Sequence, residues 1–142
     1  MAAIAVVMVG SVHENFKKEG RPQWKPLSNS RIRQRSKDHQ VDKTKQHATW
    51  PGLILRETGH LEDSISPRST NTEAVVGANR DYAAAMQLGF NGSQSVPSYT
   101  RSNGSTVKAH SRQMNIPARP FLAIQPEDIQ EAEAILLRHL LK

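Results

Sequence analysis

A small α+β domain, with a mainly antiparallel sheet packed against a few helices, is the fold class this sequence predicts. Apolar residues recur at helical spacing at both ends of the chain, and two short β-prone runs separated by turn residues lie between them. Two long polar and basic stretches, about residues 21–50 and 90–115, interrupt that pattern. At 142 residues the chain has room for one domain, read as 1–142, with both stretches as excursions from it.

Ile4, Val7, Met8, Val12 and Phe16 recur at the three- and four-residue spacings of one helix face, which predicts a helix over 2–19. Gly10-Ser11 weakens its middle, and the β-branched residues leave a strand open for 3–9. Gly20 followed by Pro22 stops it. The apolar run Met1–Val9 has no basic residues before it and is shorter than the roughly 20 residues of a membrane span. It reads as a buried segment of a protein that is neither exported nor in a membrane.

Between 21 and 50 the character changes. Arg21, Lys25, Arg31, Arg33, Arg35, Lys37, Lys43 and Lys45 face only Asp38 and Asp42, and Trp24, Pro26, Leu27 and Trp50 are the few apolar anchors. Such a stretch buries too little to fold alone, so it reads as a long surface loop with a short helix near 29–38. Its charge is either solubilising or a contact surface for phosphate or an acidic partner.

Leu53, Ile54, Leu61 and Ile65 have a spacing that predicts a helix over 53–65 despite Gly59, with Pro51 at its first turn. Ser64–Arg68 and Glu73–Ala78, joined by Ser69-Thr70-Asn71-Thr72, read as a β-hairpin. Asp81–Leu88 is an alanine-rich helical turn or two, stopped by Gly89. Phe90–Asn115 carries Arg101, Lys108 and Arg112 and no acidic residue, which predicts a long basic loop or a β-hairpin arm. Prolines 117 and 120 make 114–124 extended. Pro126 opens an amphipathic C-terminal helix whose apolar face includes Ile129, Ala132, Ile135, Leu136, Leu140 and Leu141. Its acids lie near the start and Arg138, His139 and Lys142 near the end, as the helix dipole favours.

No group of residues argues for catalysis. The absence of cysteine excludes disulfides, thiolate metal sites and cysteine nucleophiles. His13, His39, His47, His60, His110 and His139 stand singly, without the paired spacing of a zinc helix. Gly89–Gly92 lacks the Lys-Ser/Thr of a phosphate loop, and neither Ser64 nor Ser111 sits in a nucleophile elbow. Glu62 and Asp63, adjacent on a helix, diverge and read as a solvated face. Neither an enzyme nor a cofactor is expected. Nineteen Lys and Arg against 13 Asp and Glu favour anionic partners. With no RNA-binding aromatic signature and no zinc-finger spacing, any attraction to nucleic acid is expected to be nonspecific.

Four phrases stand in order along the chain. The first is Phe16, Glu19-Gly20, Pro22, Trp24 and Pro26-Leu27. The second is Ile54-Leu55-Arg56, Thr58-Gly59, Leu61 and Ser64-Ile65. The third is Val75-Val76-Gly77, Tyr82-Ala83, Gln87 and Gly89, and the last is Ile116-Pro117-Ala118-Arg119-Pro120-Phe121-Leu122. Together, from about residue 12 to the C-terminus, they make the chain resemble the virion morphogenesis, or tail completion, proteins of Mu-like tailed phages and prophages. It departs from that family in a shorter N-terminal helix, in Met86-Gln87 where His-Gln is common, and in the length of 90–115.

The resemblance implies a structural virion protein, made in the bacterial host cytoplasm, that assembles as a ring, six-fold by the same resemblance. That ring would sit at the neck, where a DNA-filled head meets the tail. Its partners would be copies of itself, the neighbouring neck, portal-side and tail proteins, and the passing DNA. Arg31, Arg33 and Arg35, or Arg101, Lys108 and Arg112, are the candidates for facing that DNA or an acidic face of a neighbouring ring. The alternatives are a nonspecific nucleic-acid-binding protein and a tail-terminator subunit. The phrases themselves read as fold-specifying: Trp24 pins the basic loop to the core, Gly77 and Gly89 suit positive φ, and Phe121 and Leu122 pack beneath the C-terminal helix.

Overall fold

The structure, a computed structural model, describes residues 1–38 and 53–141. Along the chain come α1 (Ala2–Lys17), α2 (Asn29–Asp38), α3 (His60–Asp63), β1 (Ile65–Ser69), β2 (Ala74–Ala78) and α4 (Ala83–Leu88). Then follow β3 (Phe90–Val96), β4 (Tyr99–Thr100), β5 (Thr106–Val107), β6 (His110–Ile116) and α5 (Pro126–Leu140). The fold is α+β, and its strands pair antiparallel as three separate two-stranded ribbons, β1–β2, β3–β6 and β4–β5, in place of one small sheet. No described helix is long and apolar enough to cross a membrane.

The spacing of Ile4, Val12 and Phe16 gives α1 a buried stripe, and the helix wins over a strand through 3–9. The run Met1–Val9 is only partly covered, since Val6 lies out in solvent. At the C-terminal end of α1 the chain reverses through Glu19 and Gly20, both at positive φ. Trp24 returns over Gly20 so closely that a Cβ there would strike its ring. The indole is buried, meets Phe16 edge-on at 5.7 Å between centroids, and donates to the Pro120 carbonyl at 3.1 Å. Trp24 thus holds the start of the basic stretch on the core, as its composition predicts.

Phe121 is fully buried against Phe16, with ring centroids 5.4 Å apart. It shares a buried cluster with Val12, Phe16, Trp24, Ile54, Leu61, Ile65 and Ala83, none of them on α5. The expectation that Phe121 packs beneath the C-terminal helix is therefore corrected: the aromatic junction belongs to α1, and α5 docks on α1 separately.

Residues 53–65 correct a second expectation. Only His60–Asp63 forms a helical turn, because Leu55 (φ 63°) and Gly59 (φ 77°) both leave the right-handed region. The Ile54 amide donates to the Glu19 carboxylate at 2.8 Å, so the segment is tied to the end of α1 and no helical ladder forms there. The apolar spacing was real, since Ile54 and Leu61 are buried, but a looped chain presents them. Pro51, Trp50, Lys43, Lys45, Asp42, His39 and His47 lie outside the described residues.

The hairpin of β1 and β2 forms as its turn residues predict, pairing Ile65 with Ala78 through Ser69 with Ala74. Gly77 sits in it with ordinary strand geometry opposite Ser66, contrary to the positive φ expected for it. Gly89 does have positive φ (78°) and ends α4 as predicted. Of the two readings of Phe90–Asn115, the arm is the one that forms. β3 and β6 pair over seven residues from Phe90 opposite Ile116 to Val96 opposite His110, and β4 and β5 carry the ribbon on to a turn at Gly104.

Candidate assembly surfaces

The six basic residues singled out in the sequence divide into two groups, on α2 and on the arm. On α2 two of the three arginines share one carboxylate, that of Glu57. Arg35 is 4% exposed, lies 3.1 Å from the Glu57 carboxylate and donates to the Leu53 carbonyl. Arg31 reaches the same Glu57 oxygen at 2.7 Å. Arg33 alone of this trio is exposed without an ion pair among the described residues. Arg35 thus anchors α2 to the 53–59 segment and is buried in the isolated chain.

The arm keeps its charges outward. Arg101, Lys108 and Arg112 are all exposed: Arg101 at the terminal turn, Lys108 between β5 and β6, and Arg112 opposite Gln94 in the ribbon. The Asn103 side chain accepts from the Ser105 amide and hydroxyl, and the Gly104 amide donates to the Arg101 carbonyl, so the tip is a built turn.

Alternation along the arm gives it two unlike faces. One carries Phe90 with Ile116, Gly92 with Met114, Gln94 with Arg112, and Val96 with His110. The other pairs Asn91 with Asn115, Ser93 with Gln113 and Ser95 with Ser111. The Phe90 ring lies over Gly92, where a Cβ would come within 2.9 Å of it, yet that ring remains 44% exposed. Val96, Met114 and Ile116 on the first face are half-buried, and a two-stranded ribbon so partly covered is marginal in water by itself.

A second incompletely covered surface is on α5. Gln125 and Asp128 cap the helix reciprocally, with Pro126 in its first turn. The half-buried Ala132 and Ile135 mark the side packed on α1. Beside it Ile129, Glu133, Leu136 and Leu140 succeed one another at helical spacing, flanked by Leu137, and all are exposed. Leu140 is 77% and Leu141 85% exposed. The broad apolar face read from the sequence is present, but α1 covers only part of it.

What orients α5 is a polar network that sequence reading missed. Asp128, buried, accepts from the Ser11 hydroxyl at 2.5 Å and from the Gln125 amide at 2.8 Å. Arg21 donates to Asn15 Oδ1 (2.8 Å), the Ser11 carbonyl and hydroxyl, and Glu127 at 2.9 Å. Asn15, fully buried, donates to the carbonyls of Phe121 (2.9 Å) and Ala123 (3.0 Å). A polar residue beside Val12 and Phe16 on the buried stripe of α1 was the available signal. Glu62 is a similar correction: it is not a solvated face, since Arg56 (2.5 Å) and His13 (3.2 Å) both bind it.

The last two phrases meet at a backbone seam. Gln87 Oε1 accepts from the amides of Phe121 (2.9 Å) and Leu122 (3.0 Å), while Arg119 donates to the carbonyls of Lys25 (3.0 Å) and Pro26 (3.2 Å). Burial, and then the neighbouring Arg35 charge, pull Arg119 below the ordinary arginine pKa. Among the described residues no cluster of His, Asp or Glu could hold a metal ion.

The family model of the phage virion morphogenesis family matches residues 1–141. The chain is also 34% identical over 128 residues to the Mu-like prophage FluMu G protein 2 of Haemophilus influenzae, covering 90% of this chain and 67% of that protein. No solved structure matches it. The ordered phrases, the seam they build and these two matches agree: the chain belongs to the phage virion morphogenesis family and is a phage virion protein.

Proposed function

We propose that this protein is a ring-forming structural subunit that completes the tail or neck and joins the DNA-filled head to the tail. The observation supporting this reading is the pair of incompletely covered surfaces, the β3–β6 arm and the outer stripe of α5, on a chain with a small core. Surfaces of that kind gain their stability by burial between subunits, and a closed ring of head-to-tail contacts, a hexamer by family resemblance, buries them in every copy. Its role is structural, not catalytic. Arg33, Arg101 and Lys108, exposed and basic, are the groups to face passing DNA or an acidic neighbour, through salt-screened and sequence-independent attraction.

Electron microscopy of particles made after disrupting the gene in its parent phage or prophage tests the role. DNA-filled heads beside separate, otherwise complete tails are the expected outcome. Normally joined particles would refute it, and steeply salt-dependent binding of the purified protein to duplex DNA would then favour the nucleic-acid-binding alternative. Tails of uncontrolled length would instead identify a tail terminator.

A further inference from the structure

We infer that the apolar face of the β3–β6 arm of one copy lies along the outer stripe of α5 on the next copy, in a register set by Arg112 against Glu133. The inference rests on the ring reading above and names its interface.

The two surfaces match in length. Seven strand residues span about 24 Å at ~3.4 Å each, and fifteen helical residues about 22 Å at ~1.5 Å each. They match in pattern as well. The arm face runs Val96, then Arg112, then Met114, then Phe90 with Ile116: apolar throughout except for the Gln94–Arg112 pair and terminal His110. The α5 stripe runs Ile129, Glu133, Leu136 with Leu137, then Leu140: apolar with one carboxylate.

Setting Arg112 on Glu133 leaves Val96 about 7 Å along the arm one way, beside Ile129 about 6 Å along the helix. The other way, Met114 at about 7 Å faces Leu136 and Leu137 at about 5 Å, and Phe90 at about 14 Å faces Leu140 at about 10 Å, each within a side chain's reach. At that end a shallow groove of about 280 Å³ opens between α1 and α5, lined by Met1, Ile4, Ile135 and Leu136 with Arg138 and His139 beside them, and can receive an aromatic ring.

The charge balance supports the same pairing. The stretch 90–116 holds no acidic residue, whereas the outer stripe of α5 exposes Glu133, which has no ion pair among the described residues. Arm and α5 share no substantial interface within one chain. A second copy is therefore the occupant that supplies both complements, and the contact is heterologous, so it propagates from copy to copy and can close.

Charge reversal tests the register. Arg112→Glu and Glu133→Arg are both at exposed positions, and each variant alone places like charges across every interface. Each is expected to weaken self-association by about tenfold or more in sedimentation, with the thermal unfolding of the subunit unchanged. Mixing the two variants restores it, because in an alternating ring every arm then meets a helix of opposite charge at this position. In the otherwise cysteine-free chain, Met114→Cys with Leu136→Cys should give disulfide-linked ladders in purified particles, and neither substitution alone should. If the wild-type chain self-associates but reversal is silent and no ladder forms, this interface is wrong and the ring reading stands. If several copies are absent from each particle, both fall. Association of α5 only with a different virion protein also overturns the proposal.

Discussion

The aromatic junction under α1 and the β3–β6 arm come from one chain but follow opposite rules. At the junction Phe16 and Phe121 are fully buried, Trp24 closes over Gly20, and polar groups at its margin find internal partners. Along the arm the backbone is paired, the polar face is open to solvent, and the apolar face is covered only in part, with Phe90 exposed and Val96, Met114 and Ile116 half-buried. The first region is complete within one subunit, and the second is the one the proposed neighbour would cover. On the ring proposal, folding stability and assembly are carried by different residues, and substitutions should separate the two properties.

The largest separation is expected at Phe121. Its truncation to Ala removes a ring touching Phe16 and leaves a cavity at the centre of the core, which should cost about 3–5 kcal/mol. Denaturant unfolding measures it as a lowered midpoint at unchanged slope. A variant as stable as wild type would mean that the junction is not where stability is concentrated.

Asn15→Ala probes the polar margin of the same region. It strips donors from the Phe121 and Ala123 carbonyls and the acceptor from Arg21, an expected loss of about 1–3 kcal/mol. Because those contacts also fix the approach to α5, the variant should loosen hydrogen-exchange protection in 121–128 before it affects the arm.

Much of this division was legible in the sequence, for physical reasons that vary by element. The helices α1 and α5 declare themselves by spacing because each has one covered side. The β1–β2 hairpin declares itself by turn chemistry. The supposed helix at 53–65 misled because periodicity records which residues are buried and not which backbone buries them; the Glu19 bond to Ile54 is a long-range fact that no local pattern carries. Arg35 misled for a related reason: a charge in a basic run reads as exposed until its carboxylate, Glu57, arrives from another segment. The Asn15–Arg21–Asp128 network joins α1 to α5 across more than a hundred residues, and only the fold brings them together.

Gly89 is the joint between the two regions. Its φ of 78° with ψ near 166° suits glycine, and a Cβ there would stand 2.9 Å from the Ala118 amide nitrogen. Gly89→Ala should cost about 1–3 kcal/mol in stability. It should also swing the arm, so that self-association weakens more than the loss of folded protein accounts for. Equal losses in both would show that the arm's direction does not matter to assembly.

The smallest effect on the subunit, and the clearest on its surroundings, belongs to the tip of the arm. Arg101 and Lys108 are exposed, and reversing both to Glu should leave unfolding free energy within about 0.5 kcal/mol of wild type. If they face phosphates, each lost contact should lower the log–log salt slope of duplex binding by about 0.9, and the double reversal by about 2. If they face an acidic neighbour instead, the salt slope for DNA stays as it was and heads and tails fail to join. The charge of the arm would then belong, like its apolar face, to contacts between proteins.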